Sequence, residues 1–105
     1  MTPPPRPYRF VYRAFDRFEF DPAKSQAVLD ERGFDLGYVT HIFPGYVLER
    51  QDTRSYHEPR YQIIGELLGN VFVVIYTPRG RVCRLITAWQ AQDNELEAWY
   101  DYFRR

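Results

Sequence analysis

The stretch from Arg60 to Ala88, RYQIIGELLGNVFVVIYTPRGRVCRLITA, leaves the chain little choice of fold. Ile63, Ile64, Val71 through Tyr76, Val82 and Ile86 are β-branched or aromatic, the types that suit a pleated, half-buried surface. Breaks at Gly69-Asn70 and at Pro78-Arg79-Gly80 divide the stretch into three strands, because Gly and Asn accept the positive φ of a tight hairpin turn. The expectation is a consecutive antiparallel meander carrying Arg60 at its start, Arg79 in its second turn and Arg84 inside its last strand. A three-residue turn at Pro78-Arg79-Gly80 sets Arg84 opposite Val74, and a Gly69-Asn70 turn sets Val74 opposite Gly65. Arg84 is then expected beside a shallow glycine slot. A slip of one residue would carry it to the other face.

The rest of the chain supplies helices and edges. Asp21-Pro22 opens a helix with an acidic cap and proline at its first position, and Gly33 closes it. Asp35 caps a shorter helix that Pro44-Gly45 ends. Tyr46 to Arg50 reads as a strand, followed by the polar loop QDTRSYHEP. After Ala88 a terminal helix is expected, with Asp93 as cap and Leu96, Trp99, Tyr100 and Phe103 on one face. Tyr8 to Phe20 reads as one or two short edge strands, and the four prolines of residues 1–7 mark an extended tail. The order β-α-α-β-β-β-β-α predicts one α+β domain over residues 8–105. Two N-terminal helices and a C-terminal helix would pack on an antiparallel sheet.

Composition narrows the chemistry. His41, His57 and Cys83 are scattered without ligand spacing, so no metal or other cofactor is expected. A lone strand cysteine reads as core, and it excludes a disulfide framework within the chain. No apolar run approaches the roughly 18 residues of a membrane span, so a soluble, cytoplasmic protein is expected. The formal net charge is zero, yet thirteen of the fourteen cations are arginine, the residue suited to a bidentate grip on phosphate. Arg60, Arg79 and Arg84 on a sheet can hold a phosphate and stabilise the charge that builds on it. RNA brings its own nucleophile in the 2′-hydroxyl, and His57 or Glu58 could take its proton. Spacing alone leaves a salt-bridged surface as the other reading of these arginines.

Phe18 to Lys24 (FEFDPAK), the ERG closing that helix, PRYQIIG, VVIYTPRG and RLITA occur in an order that resembles the BrnT family, over roughly residues 18 to 100. The resemblance implies a toxin of a type II toxin–antitoxin pair with a fold similar to the RelE-like ribonucleases. It also implies metal-independent RNA cleavage and a ribbon-helix-helix antitoxin, through which alone operator DNA is contacted. On matching motif positions, Lys24, Arg60, Arg79, Arg84 and Glu95 correspond to family residues. Catalysis is assigned to Arg60, Arg79, Arg84, Glu58 and His57, and further RNA contacts to Lys24, Arg81 and Trp89. The chain departs from the pattern where Trp89 and Gln90 replace two cations, Arg32 replaces a histidine, Phe20 a tryptophan and Gln92 a threonine cap. A non-catalytic, protein-binding relative is the alternative.

Overall fold

A computed structural model describes residues 7–53 and 57–103. The strands are β1 (Arg9–Arg13), β2 (Arg17–Glu19), β3 (Gly45–Asp52), β4 (Arg60–Leu67), β5 (Asn70–Arg79) and β6 (Val82–Gln90). The helices are α1 (Pro22–Arg32), α2 (Leu36–Val39) with a 3-10 turn at Thr40–Ile42, and α3 (Asp93–Phe103). Only Pro7 of the expected proline tail and none of residues 54–56 of the polar loop's centre belong to what is described.

All six strands join one sheet in the order β1-β3-β4-β5-β6-β2. Strands β3 to β6 form the expected antiparallel run, and β1 extends it antiparallel beside β3. The sheet is nevertheless mixed, because β2 pairs parallel with β6. The two N-terminal helices follow the pair of short strands expected between Tyr8 and Phe20. The Asp16 amide donates to the Arg81 carbonyl at 2.8 Å and Asp16 meets the Arg81 guanidinium at 2.6 Å, which fixes β2 at that edge.

Helix ends form where the capping residues stand. Asp21 accepts from the Ala23 amide at 2.9 Å, and Gly33 takes φ 83° to close α1. Asp35 accepts from the Tyr38 amide at 2.8 Å. The cap of α3 differs from expectation. Asp93 is already helical, and Glu95 reaches back to the Gln92 amide at 2.7 Å, the acidic half of a capping box without its hydroxyl half.

Both hairpin turns are displaced from their expected places. Leu67 pairs with Asn70, so Leu68 and Gly69 turn the chain, with φ of 51° and 84°. Arg79 pairs with Val82, so Gly80 and Arg81 form the second turn. A bulge follows: Ile75 faces Thr87 but Tyr76 faces Leu85, leaving Ile86 as the extra residue on β6. Arg84 consequently lies opposite Thr77, not Val74, and on the other sheet face from the one expected. Gly65 lies opposite Phe72. The glycine slot is filled by Ile42, whose Cγ2 would stand 2.7 Å from a Cβ at that position.

The sheet is covered unequally. Helices α1 and α2 and the 3-10 turn bury one face through Val28, Leu36, Val39 and Ile42 against Val47, Ile63, Phe72, Val74 and Leu85. On the other face α3 covers only one end, where Trp99 and Leu96 pack on Leu48, Ile64, Val71 and Val73. Within the first layer Glu49, 3% exposed, is satisfied by Arg13 (Nε at 3.0 Å) and by the buried Tyr76 hydroxyl. Burial, followed by the Glu49 hydrogen bond, pushes the Tyr76 phenol well above its ordinary value, so it stays a neutral donor. Tyr76→Phe removes a hydrogen bond to a buried charge and is expected to lower stability by about 1.5–3 kcal/mol. Urea melts of the two proteins measure it; a difference under about 0.5 kcal/mol would show that Arg13 alone suffices.

Candidate functional site

The uncovered end of the α3 face holds the arginines. Asp52 pairs with Arg60, Thr77 with Arg84, and Arg84 with Glu19 across the parallel edge. Continuing the Tyr61–Tyr76 register by one residue sets Arg60 beside Thr77. Arg60, Thr77, Arg84 and Glu19 thus form one transverse row. Arg79 stands two residues beyond Thr77 on the same face, where alternation along β5 must put it. The bulge brings Trp89 to the same face: without Ile86 as an extra residue, Arg84 and Trp89 would face opposite ways.

Glu58 sits among these cations. Arg79 donates to it through Nε at 3.0 Å and Nη2 at 2.8 Å, a two-pronged grip, and gives Nη1 to Glu19 at 2.9 Å. The Arg79 hydrogen bonds hold the Glu58 carboxyl below the usual carboxylate range, and the charges of Arg60 and Arg84 act in the same direction. Arg79 therefore grips one exposed carboxylate that also feels the charges of Arg60 and Arg84. Neither of the acids singled out from the sequence, Glu58 and Glu95, is a hydrogen-bond partner of Arg84. Glu58 feels its charge but is gripped by Arg79, and Glu95 is committed to the Gln92 amide and to the Trp89 indole N–H at 3.2 Å. Half-buried Arg84 forms no ion pair with a described residue.

The remaining expected residues are dispersed. His57 is exposed beside Glu58. Lys24 is exposed on α1, a helix that packs on the opposite face of the sheet, so it is not assembled with the arginines. Arg81 is spent on Asp16 at the β5–β6 turn. Trp89 lies within β6, not at the bend after it, half-buried against the α3 core layer. Cys83 is buried on the helix face, and burial pushes its thiol up to about 12, which leaves it no nucleophilic role. Among the described residues no group of three or more His, Cys, Asp or Glu is placed to hold a metal ion. Sequence reasoning missed Glu19 and Thr77. The alternation Arg17-Phe18-Glu19 was the only signal for Glu19, and its strand neighbour could not be known from it.

A family model described as "Ribonuclease toxin, BrnT, of type II toxin-antitoxin system" matches residues 20–95. The chain belongs to the BrnT family. No curated protein matches it. The BrnT match runs from the residue before the α1 cap to the first turn of α3, and so includes Glu58, Arg60, Arg79 and Arg84. Strands β1 and β2 lie outside it, although Glu19 of β2 completes the Arg79 grip. Trp89 holds a place where a BrnT-like arginine was expected, and it has become a packing residue with its N–H on Glu95. Trp89→Ala is expected to destabilise, by less than the about 3–5 kcal/mol typical of a fully buried aromatic because Trp89 is half-buried. A urea-melt change within roughly 0.5 kcal/mol, the surface value, would contradict that packing role.

Proposed function

We propose that this chain is the toxin of a type II toxin–antitoxin pair and cuts RNA without metal, in the cytoplasm. The two-pronged grip of Arg79 on an exposed anion, beside Arg60 and Arg84 on the same sheet face, carries the reading. A carboxylate gripped at two oxygens by a guanidinium occupies the geometry a phosphate would take. An incoming scissile phosphate displaces Glu58 from Arg79, and the three cations stabilise the negative charge that develops on it. The RNA 2′-oxygen attacks the phosphorus as the bond to the next nucleotide's 5′-oxygen breaks, leaving a 2′,3′-cyclic phosphate and a 5′-hydroxyl that takes its proton from water. Glu58, released from its arginines, regains basicity and can accept the hydroxyl proton, with His57 beside it as the other acceptor.

A second reading, a protein-binding module without catalysis, is favoured by one observation. Tyr12, Tyr46 and Phe103 are 53%, 61% and 56% exposed around Phe10, which stacks on Tyr46 at 5.1 Å and on Tyr102 at 4.6 Å. An aromatic patch of this kind on a small domain marks an interface. In the toxin reading its occupant is a ribbon-helix-helix antitoxin, which alone touches operator DNA.

Four outcomes are expected. Cleavage of RNA by the purified chain persists in excess EDTA. Arg84→Ala keeps the melting curve close to wild type and loses activity about 10²–10³-fold. Arg84→Lys is also inactive, since a point charge does not reproduce the fork. A folded Arg84→Ala protein as active as wild type removes Arg84 from the site. Mixed with the product of the adjacent short gene, the chain gives one complex at micromolar concentration by size exclusion with light scattering; its absence counts against the pairing.

A further inference from the structure

Next to the arginine row lies a second polar row on the same open face, and Tyr8, the residue before β1, supplies one end of it. Arg50 pairs with Gln62 and Gln62 with Ile75. Continuing the Arg9–Glu49 register by one residue sets Tyr8 beside Arg50. The Arg50 guanidinium lies over the Tyr8 ring, 4.3 Å from its centroid. Gln62 donates its amide to the Tyr8 hydroxyl at 2.9 Å and accepts from Arg50 Nη2 at 3.4 Å. All three side chains are half-buried, held from below and still in contact with solvent. Gln62 stands two residues along β4 from Arg60, roughly 6.8 Å by strand geometry, a distance one nucleotide spans.

We propose that Tyr8, Arg50 and Gln62 form a nucleobase subsite that selects the residue flanking the cut. The proposal rests on the ribonuclease reading and extends it to sequence choice. Unpaired RNA bases are held by stacking on aromatic rings and guanidinium planes and by hydrogen bonds to their edges. Arg50 provides a plane whose orientation the Tyr8 ring has already fixed. The Tyr8 oxygen accepts from Gln62, which leaves its own hydrogen for an acceptor on a base. Burial, partly offset by the Arg50 charge, raises the phenol above its ordinary value, so that hydrogen is retained at neutral pH. Tyr8 lies outside residues 20–95, so this base choice would belong to the chain's own N-terminal strand and not to the shared BrnT body.

The test uses the full chain and short single-stranded RNAs, each cut at one site, with the flanking base intact or replaced by an abasic nucleotide. Wild type should cut the intact RNA at least about 10-fold faster than the abasic one. Arg50→Ala should cut both at the slow abasic rate, and Tyr8→Phe, which keeps the ring, should change which base is preferred. Melting curves on both variants identify any loss due to unfolding, and Tyr8→Phe serves if Arg50→Ala fails to fold. If the folded variants retain the wild-type preference, the subsite is wrong while the ribonuclease stands. A wild type that neither binds nor cuts any RNA overturns the ribonuclease reading itself, and the subsite with it.

Discussion

Alternation along a strand lets each side chain of β6 enter only one of two very different environments, so the pairing of β6 with β5 decides what the open face contains. One environment is the apolar layer under α1 and α2, where a guanidinium would be stranded without a counter-charge. The other is the half-covered face beside α3. Cys83 and Leu85 belong in the first, Arg84 and Trp89 in the second, and their numbering makes strict alternation incompatible with that division. The bulge at Ile86 resolves the conflict by adding one residue between the two pairs. It thereby serves packing at one end of the strand and charge at the other.

The two faces also handle charge in opposite ways. On the helix face a single carboxylate, Glu49, is nearly excluded from water and has both oxygens engaged, so it acts as a fixed link between β1, β3 and β5. On the open face Glu58 is exposed and its partner Arg79 is shared with Glu19. Exposed pairs of this kind contribute little to stability and exchange partners readily. That difference suits one acid to architecture and the other to a surface where an anionic ligand competes for the same cation.

The elements were legible because their signals are local. Asp21-Pro22, Gly33 and Asp35 act on amides within a few residues, and the β-branched run of β5 needs no distant information to be a strand. Pairing was not legible. Both turns lie one residue or more from where glycine and proline suggested: Leu68 takes a positive φ unexpected of leucine, and the second turn centres on Gly80 and Arg81. The displaced second turn moved Arg84 by three residues against β5, an odd number, and so to the other face. The arginines themselves were found, since residue type carried them. Lys24 was not separable from them by sequence, because whether α1 lies above or below the sheet is a property of the whole chain. Glu19, Thr77 and the row from Tyr8 to Gln62 owe their positions to partners up to 65 residues away, as the pairing of Glu19 with Arg84 illustrates.

The two sheet edges, β1 and β2, are adjacent in sequence yet sit at opposite ends of the sheet. Strand β1 can dock once β3 exists, but β2 has no neighbour until β6 has been made. During synthesis from the N-terminus, the segment bearing Glu19 must therefore wait for nearly the whole chain before it finds its place. Such long-range closure is slow compared with forming the hairpins between the two edges. The order of assembly is built into the topology: until β6 is made the chain holds Arg60 and Arg79, but the Glu19 carboxylate has no strand to place it against Arg79 from the far edge.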